Sequence, residues 1–161
     1  MLRHHGELER LRVVIAGDVA HSRVARSDHA LLTALGVGEL RIAAPRELMP
    51  PEGEFAGAKR FTDLDDALDG ADVIMMLRVQ RERLRSLQVP EGAAYHADWG
   101  LSEKRLARAA KGAIVMHPGP INRGVEIEAS VADGPRSVIL EQVATGVAAR
   151  MAVLLELMGR E

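Results

Sequence analysis

The fold is indicated first by the stretch Leu11-Arg12-Val13-Val14-Ile15-Ala16-Gly17-Asp18, a short apolar run with β-branched residues at its centre. A run of this kind that ends in a glycine is typical of a buried strand followed by a tight turn. A helical pattern extends from about Ser22 to Leu35, and Gly36 follows it. Strand, turn and helix in this order predict the beginning of a parallel α/β unit.

The same alternation continues along the chain. A second strand is predicted at 39–44, and a brief third strand at 59–61. Thr62 is predicted to cap a short helix that Gly70 ends. The next strand, 72–77, is apolar on both faces, which is typical of a central parallel strand covered by helices on each side.

The last third of the chain repeats this order once more. Ser102 is predicted to cap a helix that continues to about Lys111, and a strand at 113–116 follows. From Val138 onward, apolar residues recur every three or four positions, which predicts a long helix that ends near Gly159.

Length and composition agree with an ordinary globular protein. The chain has 161 residues, of which 47% are hydrophobic and 27% charged. We therefore predict a single domain over residues 1–161, a three-layer α/β/α fold with a central parallel sheet and Rossmann-like topology. Cysteine is absent, which excludes disulfide scaffolds and thiol nucleophiles and leads us to expect a cytoplasmic location.

Several partner classes are disfavoured by composition and by residue spacing. The net charge of −2 offers no positive field for nucleic acid, and two Phe, one Tyr and one Trp leave little to stack on bases. No apolar run approaches the ~20 residues that span a bilayer. The histidines and carboxylates have no metal-ligand spacing, so we expect no metal.

Ligands of parallel α/β sheets bind at the carboxyl ends of the strands, where three loops are predicted to meet, at 17–23, 78–80 and 117–120. The first loop lacks the closely spaced glycines of a dinucleotide-binding turn. It carries instead Arg23 in the first turn of the helix, where a guanidinium can hold a carboxylate or phosphate. A lone arginine is more often a solvated surface residue.

The second loop adds another cation and an amide. If the strand geometry continues, Arg78 and Gln80 lie on the same side of the chain, where they can bind a carboxylate together. The alternative interpretation is that residues 78–83 begin an arginine-rich helix, which Glu82 stabilises, and bind no ligand. Two arginines at adjacent strand ends favour a small acidic ligand, such as a dicarboxylate.

The third loop begins His117-Pro118-Gly119-Pro120. Two prolines fix the backbone and remove two N–H donors, so carbonyl oxygens are left to accept from an incoming N–H group, and a cis peptide bond would suit either proline. We interpret His117 as a core histidine bonded to backbone rather than as a general base. Arg123 and Glu126 are interpreted as a local ion pair of little energetic value.

Taken together, the stretches 17–27, 75–83 and 117–127 resemble those of the C-terminal, aspartate-binding domain of aspartate carbamoyltransferases, and the resemblance covers about residues 11–159. It implies that Arg23 and Arg78 hold the two carboxylates of L-aspartate, with Gln80 assisting. It also implies that Pro118-Gly119-Pro120 orients the carbamoyl group and the incoming amine. The ornithine-specific enzymes are less similar, because their loop in place of the third one carries a cysteine.

The resemblance further implies what accompanies this domain. The family's carbamoyl-phosphate domain, with its Ser-Thr-Arg-Thr-Arg loop, has no counterpart in the 161 residues, and the complete enzyme is a homotrimer that uses no cofactor. We therefore expect the aspartate-binding half of a shared active site, inactive alone, with apolar surface left uncovered on the final helix. The alternative is a stand-alone, non-catalytic module that binds an acidic metabolite or a partner subunit.

Overall fold

A computed structural model describes residues 1–79, 89 and 92–159, apart from the side chain of Leu2. Five strands form one sheet in which every pairing is parallel. They are β1 (Arg12–Ala16), β2 (Glu39–Ala43), β3 (Lys59–Phe61), β4 (Val73–Met76) and β5 (Ile114–Met116). Their spatial order, β3-β2-β1-β4-β5, confirms the predicted Rossmann-like topology.

Helices lie before, between and after the strands. The described residues form α1 (Leu2–His5), α2 (Arg23–Ala34), α3 (Leu64–Leu68), α4 (Ala93–Trp99), α5 (Glu103–Leu106), α6 (Ala129–Ala132) and α7 (Ile139–Leu157), with short 3₁₀ turns at Leu8–Arg10 and Arg46–Leu48.

Both faces of the sheet are covered, as a parallel sheet requires. On β1, Val13 and Ile15 pack into one buried cluster together with residues of α2 and α4. Val14 and Ala16 point to the opposite face and pack against α3, α5 and α6. The alternation of one central strand therefore serves two hydrophobic cores, which confirms the three-layer prediction.

Two predicted helix boundaries are wrong. The N-cap of α3 is Asp63 rather than Thr62, because the Asp63 carboxylate accepts a hydrogen bond from the Asp66 amide at 3.1 Å. The helix capped by Ser102 ends at Leu106 instead of continuing to Lys111. Its last turn stops early because the Ala110 amide bonds to the carbonyl of Ala71, two residues before β4.

The exits of β1 and β4, meaning their carboxyl ends and the residues that follow, lie side by side at the point where the strand order reverses. The Leu77 amide donates to the carbonyl of Ala16 at 2.8 Å, and the Gly17 amide donates to the carbonyl of Ala43 at 2.9 Å. Gly17 has a φ of 122°, and a Cβ at this position would lie 3.0 Å from the Leu77 carbonyl oxygen. The close approach of the two exits thus depends on a residue without a side chain.

Helix α7 leaves most of its apolar side chains exposed. Ile139 is buried, but Leu140 is 84% exposed and Leu157 is 79% exposed, and Val143, Val147, Met151, Leu154 and Met158 are all at least half exposed. The prediction of uncovered apolar surface on this helix is therefore confirmed. No helix in the described part of the chain is long and apolar enough to cross a membrane.

We predict that Gly17→Ala lowers the free energy of unfolding by about 1–3 kcal/mol, because the new Cβ meets Leu77 while the backbone keeps a positive φ. Urea unfolding measures this change. Gly112→Ala is the matched control, because a Cβ there meets open space, and its effect is expected to stay within about 0.5 kcal/mol. Equal effects of the two substitutions would contradict the close approach of the strand exits.

Candidate functional site

The loops after β1, β4 and β5 meet at the carboxyl edge of the sheet, as the sequence predicts. The Asn122 side-chain amide donates to the carbonyl of Val79 at 2.9 Å, which joins the third loop to the exit of β4. The first loop begins against the same exit, where Gly17 approaches Leu77. The candidate site is therefore this edge, at the topological switch point between β1 and β4.

Arg23 is brought to this edge by the start of α2. The Ser22 hydroxyl caps the helix by accepting from the Ala25 amide at 3.0 Å, so Arg23 occupies the first helical position. Its side chain is exposed, and within the described residues the guanidinium has no hydrogen bond or ion pair. In the same helix, Arg26 is held by Glu54 at 2.9 Å and by the carbonyl of Ala20 at 2.7 Å.

Arg78 leaves β4 on the solvent side. Leu77 and Val79 are buried and Arg78 between them is exposed, so the predicted alternation holds as far as residue 79. Gln80, which the sequence places beside Arg78, lies outside the described residues, as does Glu82. In the part of the chain that the structure describes, Arg78 makes no ion pair, in contrast to Arg105, which bonds Asp65 at 2.8 Å.

The turn Pro118-Gly119-Pro120 presents free backbone acceptors. Gly119 has a φ of 72°, and the Gly119–Pro120 peptide bond is cis. The only N–H of the turn, that of Gly119, donates to Nδ1 of His117 at 2.8 Å. The carbonyl oxygens of the three residues accept no hydrogen bond within residues 1–79, 89 and 92–159. They are available to an incoming N–H group, as the two prolines predict.

His117 lies beneath this turn and is fully buried. Its amide donates to Oε1 of Gln142 on α7 at 3.1 Å. Because its ring is buried and Nδ1 accepts from the Gly119 amide, the interpretation of His117 as a core histidine bonded to backbone is confirmed. The predicted pairing of Arg123 with Glu126 is wrong, because Arg123 binds both carboxylate oxygens of Asp133, at 2.6 and 2.9 Å.

Glu126 is instead fully buried below the turn. One of its carboxylate oxygens, Oε1, accepts from the Asn122 amide at 2.6 Å and lies 3.4 Å from Nε2 of His117. Sequence reasoning missed this placement because Glu126 stands between charged and glycine residues in a loop, where a glutamate is normally solvated. Its neighbours Val125 and Ile127 are the one available signal that the chain turns inward here.

Two further buried polar groups lie close to the same cluster. Asp18 is 2% exposed and accepts from Nδ1 of His21 at 2.7 Å. Tyr95 on α4 is 1% exposed, and its pKa is raised chiefly by burial and further by the charges of Glu126 and Asp18. The phenol is therefore neutral, and it lies between loops that are distant in sequence.

The described residues contain no group of three or more histidines and carboxylates that could hold a metal ion. As far as the structure describes the chain, this edge offers two unpaired guanidinium groups and a turn of free carbonyl oxygens. The guanidinium groups suit the carboxylates of a small acid, and the carbonyl oxygens suit its amine or an amide N–H.

Comparison with known proteins identifies relatives of almost the whole chain. Residues 9–157 match the family described as aspartate/ornithine carbamoyltransferase, Asp/Orn binding domain. The chain is 54% identical over 153 residues to the aspartate carbamoyltransferase catalytic subunit of Stenotrophomonas maltophilia, and 55% identical to that of Xanthomonas campestris pv. campestris. The alignments cover 95% of this chain but 48% and 49% of the relatives, so the chain spans about half of their length.

Solved structures agree on the fold. The crystal structure of ornithine carbamoyltransferase from Thermus thermophilus superposes with a TM-score of 0.83 at 24% identity, over 98% of this chain and 52% of that one. The ornithine carbamoyltransferase of Gloeobacter violaceus gives a TM-score of 0.79 at 30% identity, over 98% of this chain and 55% of that one.

We predict that Arg23→Ala and Arg78→Ala each change the free energy of unfolding by less than about 0.5 kcal/mol, because both side chains are exposed and unpaired in the described structure. Arg105→Ala is the contrasting variant. It removes bonds to Asp65 and to three backbone carbonyls, so a loss of about 1–3 kcal/mol is expected. Thermal and urea unfolding measure all three, and a large loss at Arg23 or Arg78 would assign that residue a structural role.

Proposed function

Because this chain belongs to the aspartate/ornithine carbamoyltransferase family, we propose that it binds L-aspartate as one half of the active site of an aspartate carbamoyltransferase. Residues 1–161 would then form one L-aspartate-binding domain. The observation that carries the proposal is the pair Arg23 and Arg78 at adjacent strand exits of the switch point, whose side chains have no partner among the described residues.

The charge of the edge supports aspartate as the amine substrate. L-aspartate has two carboxylates, and each can accept two hydrogen bonds from a guanidinium. Ornithine has one carboxylate and a second ammonium, which two unpaired arginines would repel. We assign the carboxylates to Arg23 and Arg78 and give Gln80 an assisting role. The relatives at 54–55% identity carry the name of the aspartate enzyme, in agreement with this assignment.

The reaction proposed for the complete site is transfer of a carbamoyl group. The amine of aspartate attacks the carbonyl carbon of carbamoyl phosphate, a C–N bond forms, the bond from carbon to the phosphate oxygen breaks, and the amine loses a proton. The products are N-carbamoyl-L-aspartate and phosphate, a step of pyrimidine biosynthesis. The free carbonyl oxygens of Pro118, Gly119 and Pro120 would accept hydrogen bonds from the carbamoyl NH₂ and the amine, which orients the two reactants.

A second domain completes this site in the proposal. The groups that bind phosphate would come from a carbamoyl-phosphate domain, and the complete enzyme would be a cytoplasmic homotrimer without a cofactor. The exposed apolar side chains of α7 support such a partner, because a surface of this extent favours burial against another protein. The chain alone is then expected to be inactive.

The experiment compares this chain alone with a fusion protein. The fusion joins the half of the Stenotrophomonas relative that this chain does not match to the N-terminus of this chain. Formation of carbamoyl aspartate from carbamoyl phosphate and L-aspartate is expected in the fusion and absent in the chain alone. Activity of the chain alone would contradict the proposal that this chain supplies only one half of the active site. No activity in either protein would favour the non-catalytic binding module.

In the active fusion, we predict that Arg78→Ala lowers kcat/KM for aspartate by about 100-fold, because it removes a charged hydrogen-bonding partner of a carboxylate. Steady-state kinetics with varied aspartate measure this change. Arg108→Ala is the control, because Arg108 lies at the opposite end of the sheet, beside Gly70, and pairs with Asp69 at 2.9 Å. An Arg78 variant with the kinetics of the control would remove Arg78 from the binding site.

A further inference from the structure

The turn Pro118-Gly119-Pro120 is supported from below by a fully buried pair, His117 and Glu126. The Gly119 amide donates to Nδ1 of His117, so this nitrogen carries no proton, and the single proton of a neutral imidazole lies on Nε2. Nε2 lies 3.4 Å from Oε1 of Glu126, close to the carboxylate but without a hydrogen bond to it in the described structure.

The same carboxylate oxygen also holds the far end of the turn. Oε1 of Glu126 accepts from the Asn122 amide at 2.6 Å. His117 precedes the turn and Asn122 follows it, so this one oxygen atom bonds the residue after the turn and lies 3.4 Å from the ring before it. The Asn122 side chain continues the connection to Val79, next to Arg78. Glu126 thus stands at the centre of the contacts that join the turn to the exit of β4.

Stability alone does not account for a carboxylate at this position. Neither Nε2 of His117 nor Oε2 of Glu126 has a hydrogen bond within the described residues, although both atoms are buried. Unsatisfied buried polar atoms are destabilising, and apolar residues of similar volume are often neutral or better for stability. Asp18 and Tyr95 add two more polar groups to the same interior, and the Glu126 and Asp18 charges both act on the phenol.

We propose that Glu126 is a positioning residue that fixes the turn Pro118-Gly119-Pro120 through His117 and Asn122, without touching substrate. This inference rests on the proposed function, in which the turn orients the carbamoyl group. Loss of the carboxylate lets the turn move relative to Arg78, and displacements of about 1 Å at a reacting centre cost up to ~100-fold in rate. Aspartate binding changes little, because Arg23 and Arg78 are held by α2 and β4 rather than by Glu126.

The chain offers a matched control for this residue. Glu128 is also a glutamate with a histidine at 3.4 Å, in this case Nε2 of His96, and it also accepts from a backbone amide, that of Glu103 at 3.1 Å. Its side chain is 36% exposed, whereas that of Glu126 is 0% exposed. Glu128→Gln therefore removes the same charge from the same loop at a solvated position.

The kinetic test compares Glu126→Gln and Glu128→Gln in the fusion protein described above. For Glu126→Gln we expect kcat to fall about 10- to 100-fold while KM for aspartate stays within about threefold. For Glu128→Gln both parameters are expected within about twofold of the parent fusion. An unchanged kcat in Glu126→Gln, or a fall equal to that of the control, would overturn the proposal. If Glu126→Gln does not fold, Glu126→Asp, which retracts the carboxylate, is judged by the same criteria.

Hydrogen exchange provides a readout that does not depend on activity. The amide protons of Gly119 and Asn122 are expected to exchange about tenfold faster in Glu126→Gln than in the parent or in Glu128→Gln. Unchanged exchange would overturn the positioning role even if activity fell. An inactive parent fusion would overturn the proposed function, and exchange at these two amides would then decide by itself whether Glu126 fixes the turn.

Discussion

The structure depends on the pairing of β1 with two neighbours, β2 on one side and β4 on the other. This parallel pairing is possible only because each connection crosses a face of the sheet, which places helices on both sides and buries alternate residues of β1 in two cores. It also brings the exits of β1 and β4 together, with Gly17 against Leu77. The candidate site lies at this edge, where the described residues that follow the two strands come together.

The charged groups at this edge are of two kinds, exposed and buried. The arginines of the proposed aspartate site, Arg23 and Arg78, are exposed and unpaired in the described structure. The carboxylates of Asp18 and Glu126 lie below them in the interior, with His117 and Tyr95. An exposed cation remains free to bind an anion, whereas a buried carboxylate keeps its charge only where N–H donors face it. The exposed arginines are suited to binding a ligand, and the buried polar groups hold the loops of this edge in place.

Strand positions and the order of elements could be predicted from the sequence, because a central parallel strand needs apolar residues on both faces and leaves a continuous run such as 72–77. Helix ends were less predictable. Asp63 and Thr62 are both good capping residues, and only the position of the Asp66 amide decides between them. The helix after Ser102 ends early because the Ala110 amide is engaged by Ala71, a contact across 39 residues that no local pattern contains.

Local preferences of residue types are enough to predict the alternating α/β order, the candidate cations Arg23 and Arg78, and the backbone of the Pro118-Gly119-Pro120 turn. The pairing of Arg123 with Asp133 and the inward course of Glu126 toward His117 depend on tertiary packing and were not predictable from the sequence. The physical reason is that burial depends on how distant segments pack, so a glutamate in a polar loop has the same local sequence whether it faces water or the core.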